Sequence, residues 1–302
     1  MMSRFKVLVA GASGQVARAL VEKAPSEVAE FVALGRPQLD LTDPGSIDAA
    51  VRATAPDLII NAAAYTAVDQ AETDEAAAQA INATGAGHLS GAAARIGAPI
   101  VHLSTDYVFA GDKPGPYVET DVVGPTGAYG RSKLAGEQAV AAANPQHVIL
   151  RTAWVYSPFG KNFAKTMLRL AETRGELGVV HDQCGNPTSA HDIAAGLWHI
   201  ARQVAESPSA LRPGIYHMTA SGEASWAEFA EEIFRVSAAL GGPAARVRRI
   251  ASDEFPTPTR RPANSRLDCS KLSETFGLIL PQWQASTRAC VENLVQNKGW
   301  GS

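Results

Sequence analysis

Cysteine is scarce in this chain of 302 residues. Three occur, Cys184, Cys269 and Cys290. An odd number at wide spacing makes no disulfide framework, and no Cys/His pattern has the spacing of a metal site. No apolar run approaches the ~20 residues needed to span a bilayer. Neither sign of charge is in excess: 27 Lys and Arg face 30 Asp and Glu, a net charge of −3. No general electrostatic case therefore exists for nucleic acid or an anionic membrane. The densest basic cluster, Arg246-Val-Arg-Arg249, is short and reads as a solvated face. Low-complexity tracts and repeats of solenoid period are missing as well. Met1-Met-Ser-Arg4 runs straight into a strand pattern, with no targeting segment ahead of it. The expectation is a cytoplasmic protein with a large core, built as one large domain and a smaller one appended.

What is present is alternation. Phe5–Ala10, Phe31–Leu34, Leu58–Ile60, Pro99–Leu103 and His147–Arg151 are short apolar runs that read as buried parallel strands. Between them lie helical stretches: Gln15–Lys23, Asp43–Ala53 with proline in its first turn, a long alanine-rich run Asp74–Arg95 closed by Gly97, and Ala128–Ala143. Repeated strand–helix–strand units predict an α/β fold, a doubly wound parallel sheet of Rossmann type. Its ligands bind outside the carboxyl ends of the strands. After Trp154 the rhythm weakens. Helices are expected at Asn162–Ala171, Ala190–Ala205 and Ser225–Leu240, the last amphipathic through Phe229, Ile233 and Val236. The stretch 241–265 is rich in Pro and Arg and is expected to have little regular structure. Residues 1–156 therefore read as a dinucleotide-binding domain and 157–302 mainly as a smaller substrate-binding domain, with 190–218 returning to the first.

Gly11-Ala-Ser-Gly14-Gln-Val-Ala17 follows the first strand and opens a helix. Glycines let the backbone turn sharply, and a helix N-terminus attracts a pyrophosphate. Gly11, Ser13, Gly14, Gln15 and Val16 are the candidate contacts. The second strand ends in Leu34-Gly35-Arg36, without the carboxylate that usually holds the ribose of NAD. Arg36 can pair with a 2′-phosphate, so NADPH is favoured, with NADH open. Asp40 and Leu41 follow and can flank the adenine. Ala62, Ala63 and Ala64, after the third strand, are small enough for a loop to approach a flat cofactor.

Chemistry is carried by Tyr129-Gly-Arg-Ser-Lys133. A helix puts residues four apart on one face, so Tyr129 and Lys133 can address the same atom. A cation beside the phenol would lower its pKa from near ~10 and make it a tunable acid. After the fourth strand, Ser104 and Thr105 are both placed to bond the same substrate oxygen, and position alone does not choose between them.

These motifs resemble the extended short-chain dehydrogenases/reductases, and within them the dTDP-4-dehydrorhamnose reductase family. The likeness spans nearly the whole chain. It is carried by the glycine turn, Asn61–Asp69, Ser104–Phe109 and Tyr129–Glu137, and more narrowly by Arg151–Tyr156, Asn162–Met167, Asp182–Thr188 and Arg261–Arg266. The resemblance implies reduction of the C4 keto group of dTDP-6-deoxy-L-lyxo-4-hexulose to dTDP-L-rhamnose. It implies catalytic roles for Thr105, Tyr129 and Lys133, with Lys133 also holding the nicotinamide ribose. It places Val68, Tyr107 and Trp154 in the sugar pocket, and Asn162, Arg261 and Asn264 toward the nucleotide. Some relatives carry an acid where Gly35 stands. Some hold metal at oligomer contacts, but no cluster here would carry one, so no metal is expected at the active site. A homodimer stays open. Two other functions remain: an epimerase or 4,6-dehydratase of the same superfamily, and a non-catalytic subunit of the methionine adenosyltransferase beta type. Dehydratases of the superfamily place glutamate after the Thr-Asp pair, where this chain has Tyr107. The intact Thr105, Tyr129 and Lys133 argue against a purely regulatory chain.

Overall fold

The computed structural model describes residues 5–25, 30–207 and 210–301. Met1–Arg4, expected to lead into the first strand, lie outside them. The elements in order are β1 (Lys6–Ala10), α1 (Gln15–Glu22), β2 (Glu30–Leu34), α2 (Pro44–Thr54), β3 (Leu58–Asn61), α3 (Val68–Ala71), α4 (Glu75–Gln79), α5 (Ala86–Arg95), β4 (Ile100–Thr105), α6 (Ala128–Ala143), β5 (His147–Thr152) and β6 (Val155–Tyr156). Then follow α7 (Phe163–Ala171), β7 (Glu176–Val180), β8 (Cys184–Gly185), β9 (Thr188–Ser189), α8 (Ala190–Glu206), β10 (Gly214–His217), β11 (Ala224–Ser225), α9 (Trp226–Ala239), β12 (Arg246–Ile250), α10 (Ser270–Phe276) and α11 (Trp283–Asn297).

A six-stranded parallel sheet in the order β10-β5-β4-β3-β1-β2 forms the centre. Its strands read as apolar runs because both faces are covered. Val7, Val9, Leu58, Ile60, Val148 and Leu150 join the core beneath α1 and α8, while Leu8, Ile59, Ile100 and Ile149 face α2 and α5. Side chains alternate across a strand, and each fully buried Val, Leu or Ile contributes about 1.5–3 kcal/mol. β1 has β2 on one side and β3 on the other. The chain thus changes direction at β1, which opens a crevice at the carboxyl ends. α8 packs on α1, and β10 pairs in parallel with β5.

The run expected as one helix from Asp74 to Arg95 is interrupted. Between α4 and α5 the segment Ala80–Gly85 takes the wider π-helical turn. Asn82 there bonds Ser132 on α6 and both backbone groups of Tyr65. A Cβ on Gly85 would lie 2.2 Å from the Leu41 carbonyl oxygen. The widened turn meets two neighbours at van der Waals range, which alanine spacing alone does not announce.

The remaining elements build a second core from α7, α9, α11 and β7 around Phe229, Ile233, Leu168 and Trp283. The stretch 241–265, expected to be irregular, contains β12, which pairs in parallel with β7. Its apolar content is low because it lies beside a single strand. Arg246, Arg248 and Arg249 are exposed and pair with Glu176, Glu254 and Glu231, a solvated face as the composition implied. No helix among the described residues is long and apolar enough to cross a membrane.

Candidate active site

The glycine turn sits at the point where the sheet reverses. Gly11 has φ of +105°, donates to the Leu34 carbonyl at 2.8 Å, and lies against the loop after β3. A Cβ on it would stand 2.9 Å from the Ala63 nitrogen. Glycine is needed here for conformation and for space. Gly14 caps α1 without any side-chain bond, so the first amides of the helix face outward for an anion. Beside the turn lies a cleft of about 520 Å³, lined by Ala12, Ser13, Ala33, Leu34, Gly35, Arg36 and Gln38. Its lining holds a guanidinium and no carboxylate, which suits a phosphorylated ribose.

The other expected cofactor residues divide. Ala62, Ala63 and Ala64 are half-buried beside the turn. Val16 is in the core, and Gln15 turns its side-chain oxygen to the Ser157 hydroxyl at 2.6 Å. Leu41 is a correction: its side chain is buried with Leu39 and Ile47 rather than turned to the crevice. Asp40 is held by the backbone and hydroxyl of Thr42, which keep its carboxyl below the usual range, with Arg36 adding to the effect.

Across the crevice, β4 delivers Thr105 and α6 delivers Tyr129 and Lys133. The Ser104 hydroxyl donates to Glu137 at 2.5 Å, within a buried pair that Arg151 closes with two bonds. That turns Ser104 inward and leaves Thr105 beside the phenol. Tyr129 is half-buried and packs edge-on to Tyr107 at 5.6 Å between centroids. Burial and the neighbouring Asp106 carboxylate push its pKa up, while the Thr105 hydroxyl pulls it down. Lys133 is buried, donates to the Leu103 carbonyl at 2.7 Å, and is lowered to about 8 by burial against the opposing effect of Glu137. The expectation that Lys133 depresses the phenol is therefore corrected. Its amine is directed to β4, and desolvation dominates at Tyr129.

Asp106 was noted in the sequence only for the residue that follows it. In the structure it is buried near Tyr129, bonded by the Thr105 hydroxyl at 3.1 Å and by Ser265, with its Oδ2 unpartnered among the described residues. Burial raises it to about 6. His102, Glu137 and Arg151 were also missed. The spacing of Lys133 and Glu137, four apart on one helix, was the available signal.

On the substrate side, the Val68 carbonyl accepts from Thr259, and Asp69 pairs with Arg261 at 3.4 Å. Burial and Asp106 raise the Tyr107 phenol, Arg261 lies close enough to oppose that rise, and the buried Arg261 Nε has no partner among the described residues. Trp154 has φ of +47° and stacks on Trp226 at 3.5 Å. Gly185 touches its indole edge: a Cβ there would lie 2.5 Å from the ring. Asn162 and Asn264 depart from the expectation that they reach the nucleotide. Asn162 caps α7 and donates to Gln15, Ser157 and Phe159. Asn264 donates to the Lys113 and Gly115 carbonyls and accepts from Arg266 twice. Both amides are taken up in holding loops. Among the described residues no group of three or more His, Cys, Asp or Glu could hold a metal ion.

A glycine turn at the reversal of a parallel sheet, with a Tyr-x-x-x-Lys pair across the crevice, defines an extended short-chain dehydrogenase/reductase. Comparison narrows the class. Residues 5–296 match the family described as RmlD substrate binding domain. The dTDP-4-dehydrorhamnose reductase of Sinorhizobium fredii is 53% identical over 95% of this chain and 97% of its own. The crystal structure of an ortholog from Clostridium acetobutylicum has a TM-score of 0.88 at 39% identity, covering 96% of this chain and 99% of that one. The Bacillus anthracis enzyme, solved in complex with NADP, has the same score at 34% identity, with the same coverage of 96% and 99%. The chain belongs to the dTDP-4-dehydrorhamnose reductase family.

Proposed function

We propose that this chain reduces the C4 keto group of dTDP-6-deoxy-L-lyxo-4-hexulose (dTDP-4-dehydrorhamnose) with NADPH, giving dTDP-L-rhamnose. What supports this is the pairing of Thr105 with Tyr129, with Lys133 one turn further along the same helix, in a chain that matches named reductases over almost its full length. The residues fit a dinucleotide. Gly11 and the open amides of α1 would hold the pyrophosphate. Ser13 and Arg36 would hold the phosphorylated ribose, and Lys133 would reach the nicotinamide ribose. Bound NADPH supplies the hydride that reaches the C4 carbon.

The protein supplies the proton and the geometry. With its pKa raised, Tyr129 is a neutral phenol at physiological pH, the form that reduction requires. It donates to the C4 oxygen as negative charge develops there, and Thr105 adds a hydrogen bond to the same oxygen. Positioned acid catalysis of this kind is typically worth ~10²–10⁴-fold. Tyr107 and Trp154, each packed on a second aromatic ring, form the sugar wall. The free Nε of Arg261 is the donor for the nucleotide diphosphate. In this assignment residues 1–156 with 190–218 hold the cofactor, and the rest of 157–302 selects the sugar nucleotide. Tyr107 stands where a dehydratase has glutamate, which supports reduction over elimination. Three free thiols and a reduced nicotinamide donor suit the cytoplasm.

The test is NADPH oxidation against dTDP- and UDP-linked 4-keto sugars. Rapid turnover is expected with dTDP-4-dehydrorhamnose and little with the UDP sugars. An inactive enzyme with every 4-keto sugar, or an equal rate with both bases, would set the assignment aside.

A further inference from the structure

A directional chain of hydrogen bonds runs beneath Tyr129, from the loop after β3 to the Lys133 amine. The Ala63 amide donates to Asn61 Oδ1 at 3.1 Å. This fixes the orientation of the Asn61 amide, so Nδ2 is the end that lies 3.0 Å from His102 Nδ1. An amide NH₂ only donates, so Nδ1 accepts and carries no proton. His102 is fully buried, and burial together with Lys133 keeps it neutral. Its single proton therefore sits on Nε2. That nitrogen faces Lys133 Nζ at 3.5 Å, long for a hydrogen bond but close for two N–H groups pointed at each other. An ammonium has donors only. A neutral amine offers a lone pair to Nε2–H and still donates to the Leu103 carbonyl.

We propose that His102 is a positioning residue for Lys133: it presents Nε2–H to the amine, favours the uncharged form, and ties that preference through Asn61 to the Ala62–Ala64 loop. The inference deepens the function proposed above and rests on it for the role of Lys133. Other groups around the amine do not reverse the preference. Tyr129 and Glu137 lie one turn to either side on α6. Glu137 favours the ammonium, but its carboxylate is occupied by two Arg151 nitrogens and the Ser104 hydroxyl. Asp106 acts on Tyr129 and Tyr107. From β4 only His102 and the Leu103 carbonyl reach Nζ among the described residues. Lys133, at about 8, changes charge close to physiological pH. The Ala62–Ala64 loop, which lies against Gly11 of the glycine turn, is thereby linked to the charge state of Lys133.

The direct test is ¹⁵N NMR of the wild-type enzyme labelled in histidine, from neutral to alkaline pH. One deeply buried imidazole should show a bare Nδ1 and a protonated Nε2, and His102→Phe should remove that pair of resonances. The kinetic test uses the alkaline limb of kcat/KM for NADPH, which reports groups of the free enzyme. His102→Phe deletes the opposing N–H and should move this limb upward by roughly half to one pH unit, the worth of one hydrogen bond. Asn61→Asp keeps the imidazole but cannot donate to Nδ1. It should draw the proton to Nδ1, turn a lone pair toward Lys133, and move the limb the same way. A protonated Nδ1 at His102 in the wild type, told apart from the Nδ1 protons that His147 and His217 donate to carbonyls, overturns the proposal, and so does an alkaline limb that stays put in both variants. The NMR measurement needs no substrate, and the assignment holds where His102→Phe leaves the other histidine resonances in place. A failure of the reductase assignment would show instead as no NADPH oxidation with the sugar.

Discussion

The turn after β1 and the loop after β12 both carry residues that invite assignment to a ligand, and they behave differently. Around Gly11 the backbone makes the site. A positive φ and a neighbour at 2.9 Å exclude every side chain, so sequence and role correspond closely. Around Pro256–Arg266 any site would be made by side chains, and the same polar residue can serve a ligand or a loop. Asn264 serves the loop, with its amide donated to the Lys113 and Gly115 carbonyls. Arg261, three residues earlier, keeps its Nε without a partner among the described residues. Motifs that act through backbone geometry are read directly, whereas polar side chains in irregular loops need their partners to be seen.

The largest effect expected falls on the sheet side. Tyr129→Phe should lower kcat by at least ~10²-fold, the low end for a lost general acid, while NADPH binding, followed by nicotinamide fluorescence, is retained. Near-normal turnover would remove Tyr129 from the chemistry and leave the crevice without its acid. Next comes Arg36→Ala. It should weaken NADPH by ~1.5–3 kcal/mol, the range for hydrogen bonds to charged groups, and leave NADH nearly unaltered. Equal losses for both cofactors would mean that Arg36 does not meet the 2′-phosphate, although it lines the cleft.

Most of the sheet was legible because burial on both faces forces apolar runs such as Leu58–Ile60. The shared helix face of Tyr129 and Lys133 was legible for another reason, their four-residue spacing. The π turn at Ala80–Gly85 was not, since it answers to Leu41 and Ser132 rather than to its own composition. Nor was β12, whose single neighbouring strand demands few apolar residues. The state of Tyr129 was also out of reach. A neighbouring lysine in the sequence suggested a depressed phenol, but desolvation and Asp106 decide the sign, and both depend on the packed structure.

The two asparagine and arginine neighbours sharpen the contrast on the loop side. Asn264→Ala removes two hydrogen bonds to part-buried carbonyls and, at about 0.5–1.5 kcal/mol each, should cost about 1–3 kcal/mol of stability, read as a lower urea midpoint with unchanged slope. Arg261→Ala should keep the midpoint and raise KM for the dTDP-sugar about 10-fold with kcat little changed. A remote phosphate contact is made equally in the ground and transition states. If Asn264→Ala instead raised KM at full stability, the amide would contact the nucleotide and the contrast would collapse.

The smallest effect is expected where the two regions meet. Asp106 ends the sheet side and is bonded by Ser265 from the loop side. Burial raises its carboxyl to about 6, above the ~3.9 of an unfolded chain. Between these values the folded state binds more protons than the unfolded one. The contribution of Asp106 to stability is therefore fully present below about pH 4, declines as pH rises, and is gone above about pH 6. Carboxylates held below their usual range, such as Asp121 and Asp268, act oppositely and lose stability as pH falls. The net slope of the wild type is thus not diagnostic, and the difference from Asp106→Asn is. Asparagine keeps the size and loses the titration. Relative to the wild type, the variant should gain on the order of 1–2 kcal/mol between about pH 4 and pH 6, measured as urea midpoints at each pH. Midpoint curves that run parallel for the two proteins would show that Asp106 is already solvated, and that the seam between sheet and loop is open to water.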